Sequence, residues 1–145
     1  MYNRKAWLSL MATCDKKRIL SLWQNSQINV DFGLIRDAEV GAVMVKARQG
    51  STGDAFHFSE MSLTRCSVRL ASGEIGHGYH QGRSKQAAKI VALCDALAQT
   101  EAYSEIEKKI FNPLNEARQK RRETLRKKAA ATKVDFFTLV RGEDK

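Results

Sequence analysis

Residues 63–97, LTRCSVRLASGEIGHGYHQGRSKQAAKIVALCDAL, decide the fold of this chain. Alternating side chains predict a strand over 62–70, Ala71-Ser72-Gly73 predicts a hairpin turn, and a second strand follows over 74–79. From about Ser84 to Ala98 the spacing predicts a helix. Its apolar residues form one stripe, which we expect to pack on the sheet (Ala87, Ile90, Val91, Cys94, Leu97 and Ala98). The stretch therefore predicts an α+β fold.

Upstream of this stretch, residues 32–35, 42–47 and 56–58 have strand-like composition, with a turn predicted around 38–41 and a loop over 49–53. We expect a mostly antiparallel sheet of about four or five strands, packed with helices on one side. Two short helices are predicted to open the chain, the second near 15–24. A secretion signal is the alternative for the first, but the helical spacing of its apolar residues favours an amphipathic helix.

The C-terminal part of the chain has a different character. Asn112 and Pro113 are typical of the N-cap and first position of a new helix. Residues 114–131 are polar nearly all round, so this helix buries little and either stands in solvent or lies on a partner. The apolar segment 134–142 must dock in the sheet or against another subunit, through Phe136 and Phe137. We therefore expect an α+β core over 1–112, with a basic helix and docking segment over 113–145 of the same domain.

Length and cysteine content limit the possible classes of protein. A chain of 145 residues is about one domain long. No apolar run approaches the roughly 20 residues needed to span a bilayer, so no membrane association is expected. The three cysteines are scattered and form no CxxC pair, which suggests neither a disulfide framework nor a cysteine-rich zinc site. We predict a cytoplasmic protein.

The positive charge of the chain is concentrated in one element. The net charge is +9, and the segment 118–133 holds eight cations and a single anion. Such a helix would suit nucleic acid electrostatically. It lacks interleaved aromatic residues for base stacking and any helix-turn-helix or zinc-finger pattern, so a solvated or subunit-contacting helix is the favoured interpretation.

Gly82-Arg83-Ser84-Lys85 is a candidate anion site at the start of the main helix. Free backbone N–H groups and the helix dipole favour negative charge there, and Arg83 and Lys85 add two cations. The alternative is an ordinary helix start with Ser84 as cap and two solvated side chains. A stand-alone enzyme for a phosphate-bearing ligand, centred on Arg83 and Lys85, is a further hypothesis.

The histidines and the remaining arginines give weaker signals. On a strand, His77 and His80 point to opposite faces and make a poor metal pair, so we predict structural or exposed roles for them and for His57, and no metal site. Arg36 is expected at a strand end. Arg65 shares a strand face with Arg69, where both either meet an acidic partner or form the solvated side of the sheet.

Several short motifs occur in one order along nearly the whole chain. They are Arg36-x-Ala38-Glu39-x-Gly41, Ala47-Arg48 with Gly50 and Thr52-Gly53, Leu63-Thr64-Arg65, Val68-Arg69-Leu70, Gly82-Arg83-x-Lys85, Ala92-Leu93-x-Asp95-Ala96-Leu97 and Val134-Asp135-Phe136-Phe137-Thr138-x-Val140-Arg141-Gly142. Together they resemble the PhnG family of the bacterial carbon–phosphorus lyase system.

The resemblance implies a role in organophosphonate catabolism. It implies a subunit of the carbon–phosphorus lyase core complex, which supports MgATP-dependent formation of a ribose 1-phosphonate 5-triphosphate with release of adenine. MgATP and a phosphonate would be substrates of the complex, and the other core subunits its partners in a hetero-oligomer. This chain would be a required transferase subunit without a complete active site and with no cofactor of its own. Candidates for phosphate or partner contact are Arg36, Arg65, Arg83, Lys85 and Arg141.

Overall fold

Three antiparallel strands and the helix that follows them form the centre of the fold in the computed structural model, which describes residues 3–50 and 52–133. The elements in chain order are α1 (Arg4–Ala12), α2 (Lys16–Ser26), β1 (Phe32–Arg48), β2 (Ala55–Leu70), β3 (Ile75–Gln81), α3 (Lys85–Leu97), α4 (Tyr103–Ile106), a π-helical segment (Glu107–Phe111) and α5 (Asn112–Ala131). Within the described ranges, no helix combines the length and apolarity that crossing a bilayer requires.

The hairpin and helix predicted from residues 63–97 are confirmed. β2 and β3 pair antiparallel around the turn, from Arg69 opposite Ile75 to Leu63 opposite Gln81. Gly73 has φ +106°, a backbone conformation that favours glycine. α3 begins after Ser84, whose hydroxyl accepts a hydrogen bond from the Ala87 N–H at 3.2 Å. The whole predicted apolar stripe of α3 is buried.

The predicted number of strands is wrong for the described residues, where the sheet has three strands rather than four or five. The segments 32–35 and 42–47 belong to one strand, β1, and 56–58 and 62–70 belong to β2. The residues expected to form a turn at 38–41 continue β1. Its register shifts between Leu34 and Arg36 and again between Arg36 and Glu39. Bulges absorb the extra residues and bend the strand without ending it.

Helix α3 packs unusually closely on β3. A Cβ added at Gly76 would lie 2.0 Å from the Ala92 carbonyl oxygen, and one at Gly78 would lie 2.0 Å from the Ala88 carbonyl oxygen. Both glycines therefore let the backbones of strand and helix touch. Cys66 and Val68 of β2 complete this buried layer.

A buried carboxylate ties α1 to the sheet and to α3. Asp95 is fully buried and accepts hydrogen bonds from Arg4 Nε at 2.9 Å and Arg4 Nη2 at 2.8 Å. It also accepts from the indole N–H of Trp7 at 3.4 Å and from the backbone N–H of His77 at 2.8 Å. Trp7 in turn stacks on Phe111, with ring centroids 5.3 Å apart. One side chain thus connects three elements of the core.

α5 begins at Asn112 and has Pro113 in its first turn, as predicted, but the expected N-cap role of Asn112 at a break in the helix is wrong. Asn112 has helical angles (φ −61°, ψ −49°) and α4, the π-helical segment and α5 follow one another without a break. Proline lacks an N–H and its ring clashes with the carbonyl four residues earlier in a regular α-helix. The wider π-helical turn just before Pro113 changes the hydrogen-bond pairing there, so that the helix continues through it.

Most of α5 faces solvent, as its polar sequence predicts. Leu114 is buried, but every residue from Arg118 to Lys133 is exposed, including Leu125. The apolar segment 134–142, with Phe136, Phe137 and Arg141, lies outside the described residues.

Candidate functional site on the outer sheet face

The face of the sheet turned away from α3 gathers polar side chains. Alternation along β2 buries Thr64, Cys66 and Val68 against the helices. Arg65 and Arg69 therefore project on the other side, and both are exposed there, as predicted. We call the surface formed by Arg36, Glu39, Arg65, Ser67, His77 and Tyr79 the outer-face site.

Two arginines of this site share one carboxylate. Arg65 Nε donates to Glu39 Oε1 at 2.7 Å, and Arg36 Nη1 donates to the same oxygen at 3.1 Å. About half of each of the three side chains is exposed, so these ion pairs add little to stability. The expectation that Arg36 lies at a strand end is wrong, because β1 continues past it to Arg48.

A serine and a histidine lie beside the arginines. Ser67 Oγ is 3.0 Å from His77 Nδ1 across the β2–β3 pair. Both residues line a shallow concavity of about 370 Å³, which Arg36, Arg65 and Tyr79 also line. The concavity thus combines two cations, a hydroxyl, an imidazole and a phenol ring.

This arrangement suits the binding of an anion better than covalent chemistry. Each guanidinium has five N–H donors, and the contact with Glu39 uses one from each, which leaves donors for a phosphate, phosphonate or carboxylate group. Nucleophilic catalysis by serine needs a histidine that is itself oriented by a third group. In the described part of the chain no carboxylate contacts the ring of His77, since Asp95 accepts from its backbone N–H.

The other predicted anion residues lie elsewhere. Arg83 and Lys85 are exposed at the start of α3, where Ser84 caps the helix. Arg36 and Arg65 line the concavity on the face turned away from α3, whereas neither Arg83 nor Lys85 lines it. The structure therefore divides the predicted set into two surfaces, and an anion contact at either one remains a prediction.

The histidines do not form a cluster. As predicted, His77 and His80 lie on opposite faces of β3, His77 exposed and His80 only 2% exposed. His80 Nε2 lies 3.2 Å from the Cys14 carbonyl oxygen. No group of three or more potential metal ligands occurs in the ranges 3–50 and 52–133.

Burial of His80 predicts a pH dependence of stability. Burial lowers the pKa of His80, so the unfolded chain takes up a proton below pH about 6.5 that the folded chain resists. The free energy of unfolding should therefore fall as the pH falls below about 6.5, by at most about 1.4 kcal/mol per pH unit. Urea unfolding at pH about 5.5 and about 7.5 measures this difference, and His80→Gln should reduce it. The exposed His57→Gln serves as control, and an equal reduction in that variant would contradict the assignment.

The cysteines are poor nucleophiles in the folded chain. Burial raises the pKa of the Cys14 thiol to about 12, and burial also raises the pKa values of Cys66 and Cys94. A thiol reacts as its thiolate, so none of the three is poised for covalent chemistry.

Ser67 is not among the site residues predicted from the sequence, although the sequence contains the turn that determines its partner. The hairpin turn at 71–73 sets the register that pairs residue 67 with residue 77. The contact of Glu39 with Arg65 could not be predicted in this way. The bulges in β1 shift the register of β1 against β2 by amounts that a single sequence does not reveal.

Two comparisons with known proteins agree with each other. The sequence matches the family described as "Phosphonate metabolism protein PhnG" over residues 2–142. It is also 36% identical, over 98% of its own length and 91% of the relative's, to a protein of Rhizobium meliloti (strain 1021) named alpha-D-ribose 1-methylphosphonate 5-triphosphate synthase subunit PhnG. The family match includes the positions of Arg36 and Arg65 in the outer-face site and of Arg83 and Lys85 at the start of α3. The chain therefore belongs to the PhnG family of phosphonate metabolism proteins.

Proposed function

We propose that this chain is a subunit of a ribose 1-methylphosphonate 5-triphosphate synthase complex in organophosphonate catabolism. The observation that carries the proposal is the match to the PhnG subunit of Rhizobium meliloti over almost the full length of both chains. With its partner subunits, the other carbon–phosphorus lyase core proteins, it would support MgATP-dependent formation of a ribose 1-phosphonate 5-triphosphate and release of adenine. The three cysteines, which form no disulfide, are compatible with the cytoplasmic location that we propose.

An exposed apolar ribbon supports assembly with other subunits. Beyond the end of β3, residues 42–48 of β1 and 55–62 of β2 pair with each other and, among the described residues, with no third strand; we call this part the β-ribbon. Met44, Phe56 and Phe58 are 52%, 45% and 68% exposed on it. Two-stranded hairpins are marginally stable alone in water, and large exposed apolar side chains are typical of protein interfaces. A neighbouring subunit that covers the ribbon would stabilise it.

We infer a supporting role rather than a complete active site for this chain. The outer-face site has anion-binding donors but, among the described residues, no oriented nucleophile and base. Arg36 and Arg65, or Arg83 and Lys85, would contact a phosphate-bearing substrate of the complex or an acidic residue of a partner. Phe136, Phe137 and Arg141 remain predicted docking residues, and residues 113–145 the predicted docking part of the domain.

Reconstitution tests the function directly. We expect the partner subunits mixed with MgATP and methylphosphonate to release adenine only when this chain is added, because a required subunit cannot be omitted. Adenine release is measured by chromatography. Full activity without this chain would contradict the proposed function.

The β-ribbon is tested by substitution. Met44→Ser with Phe58→Ser should lower capture of the partner subunits by about tenfold or more, since apolar anchors dominate interface energies. The thermal midpoint of the isolated chain should change little, because both side chains are exposed. Leu34→Ser, at a residue 48% exposed in the three-stranded part of β1, is the matched control. Equal capture by the ribbon variant and the control would contradict this role of the ribbon.

A further inference from the structure

A cleft of about 320 Å³ lies between the α1–α2 turn and the first half of α5. Its floor is apolar: Leu10 and Leu114 are 1% and 2% exposed, and Cys14 and Ala117 lie beside them. The volume is in the range of sites that hold a small ligand or one or two side chains of a partner. None of these residues belongs to the outer-face site.

The rim of the cleft is positively charged. Arg18 of α2 and Arg118 and Arg121 of α5 line it, together with one acidic residue, Asp15. The Asp15 carboxylate already caps α2, accepting from the N–H groups of Lys17 at 2.7 Å and Arg18 at 3.2 Å. In the ranges that the structure describes, the three rim arginines form no salt bridge. Their charges are therefore available to a partner.

We propose that this cleft binds an acidic, amphipathic segment of a partner subunit, with carboxylates on the three arginines and an apolar side chain on the floor. The inference rests on the proposed function, which requires partner subunits. Arginine is suited to this role because its planar fork holds a carboxylate through two parallel hydrogen bonds. The remaining cations of α5 extend the same field along an exposed helix and would steer an acidic surface towards the cleft.

The apolar floor distinguishes this occupant from nucleic acid. Protein–nucleic acid interfaces are more polar than protein–protein interfaces, and single strands bind by stacking on aromatic side chains. In the part of the chain that the structure describes, the cleft lining contains no aromatic residue, and its floor has buried leucines where a phosphate backbone would need donors. A carboxylate-bearing segment with an apolar side chain matches both parts of the surface.

The test compares two charge reversals on the same helix. Arg118→Glu with Arg121→Glu alters the rim, whereas Arg122→Glu with Arg126→Glu makes the same change of charge on exposed residues that do not line the cleft. A third variant, Ala117→Trp, fills the cleft without a change of charge. Each full-length tagged chain is co-expressed with the carbon–phosphorus lyase core subunits. Captured subunits are quantified at about 50 mM and about 500 mM salt, with and without nuclease.

We expect the Arg118/Arg121 and Ala117 variants to capture about tenfold less partner than wild type, and the Arg122/Arg126 variant to stay within about threefold. Circular dichroism should show that all three are folded. Equal losses in both charge-reversal variants, or full capture by the rim variants, would overturn the proposal that the cleft binds a partner. Capture that nuclease abolishes would assign the surface to nucleic acid instead. No capture by the wild-type chain would overturn the proposed function itself, and the cleft with it.

Discussion

Gly78→Ala is expected to destabilise this protein by about 3 kcal/mol or more, a large share of the roughly 5–15 kcal/mol that keeps a domain folded. The added Cβ would lie 2.0 Å from the Ala88 carbonyl oxygen and 2.6 Å from the Ala92 nitrogen. Both are backbone atoms of α3, so no side-chain rotation relieves the clash. The helix has to move off the sheet, and the apolar layer between them opens. Urea or thermal unfolding of the purified chain measures the loss.

Gly41→Ala is the matched control for this change. Gly41 is also a strand glycine, but no heavy atom of the described residues outside its two chain neighbours lies within 4 Å of a Cβ built there. Its substitution should be neutral or stabilise slightly, because alanine reduces the entropy of the unfolded chain. Similar stability of the Gly78 and Gly41 variants would show that α3 does not rest on β3 as closely as described.

Asp95→Ala is expected to cost about 3 kcal/mol. The substitution leaves the part-buried backbone N–H of His77 and the buried indole N–H of Trp7 without their acceptor, at roughly 1–3 kcal/mol each. Arg4 loses its partner as well, but its side chain is 46% exposed and can turn to water, so its share is smaller. The free energy of unfolding from urea titration gives the value.

The control for Asp95→Ala removes an exposed acid nearby. Glu101→Ala, just after α3, should change stability by no more than about 0.5 kcal/mol. If Asp95→Ala were equally mild, Asp95 would not hold α1 on the core. Asp95→Ala combined with Arg4→Ala should lose less than the sum of the two single variants, since both break the same contact.

The hairpin and main helix could be predicted because the interactions that specify them are local. A turn residue such as Gly73 and the spacing of Ile90, Val91 and Cys94 act within a few positions of the chain. The predicted turn at 38–41 and the predicted break at Asn112 were wrong because structural features that a local pattern does not reveal overrode the local signals. A π-helical turn let Pro113 lie inside a helix, and bulges carried β1 through residues that resemble a turn.

The candidate site was only partly predictable. Arg65 and Arg69 were assigned to one exposed face because side chains alternate along a strand. The cleft beside α5 could not be foreseen, since Arg18 and Arg121 come together only when α2 and the C-terminal helix meet in space.

The sequence by itself determined the α+β class, the 63–97 hairpin and helix, the concentration of positive charge in the last helix and the resemblance to the PhnG family. Tertiary structure alone decided that Gly76 and Gly78 bring β3 against α3, and that Asp95 is held by Arg4, 91 residues away. The physical reason is the range of the interactions. Periodicity and turn chemistry act between neighbours in the chain, whereas close packing and buried hydrogen bonds depend on which distant backbones meet.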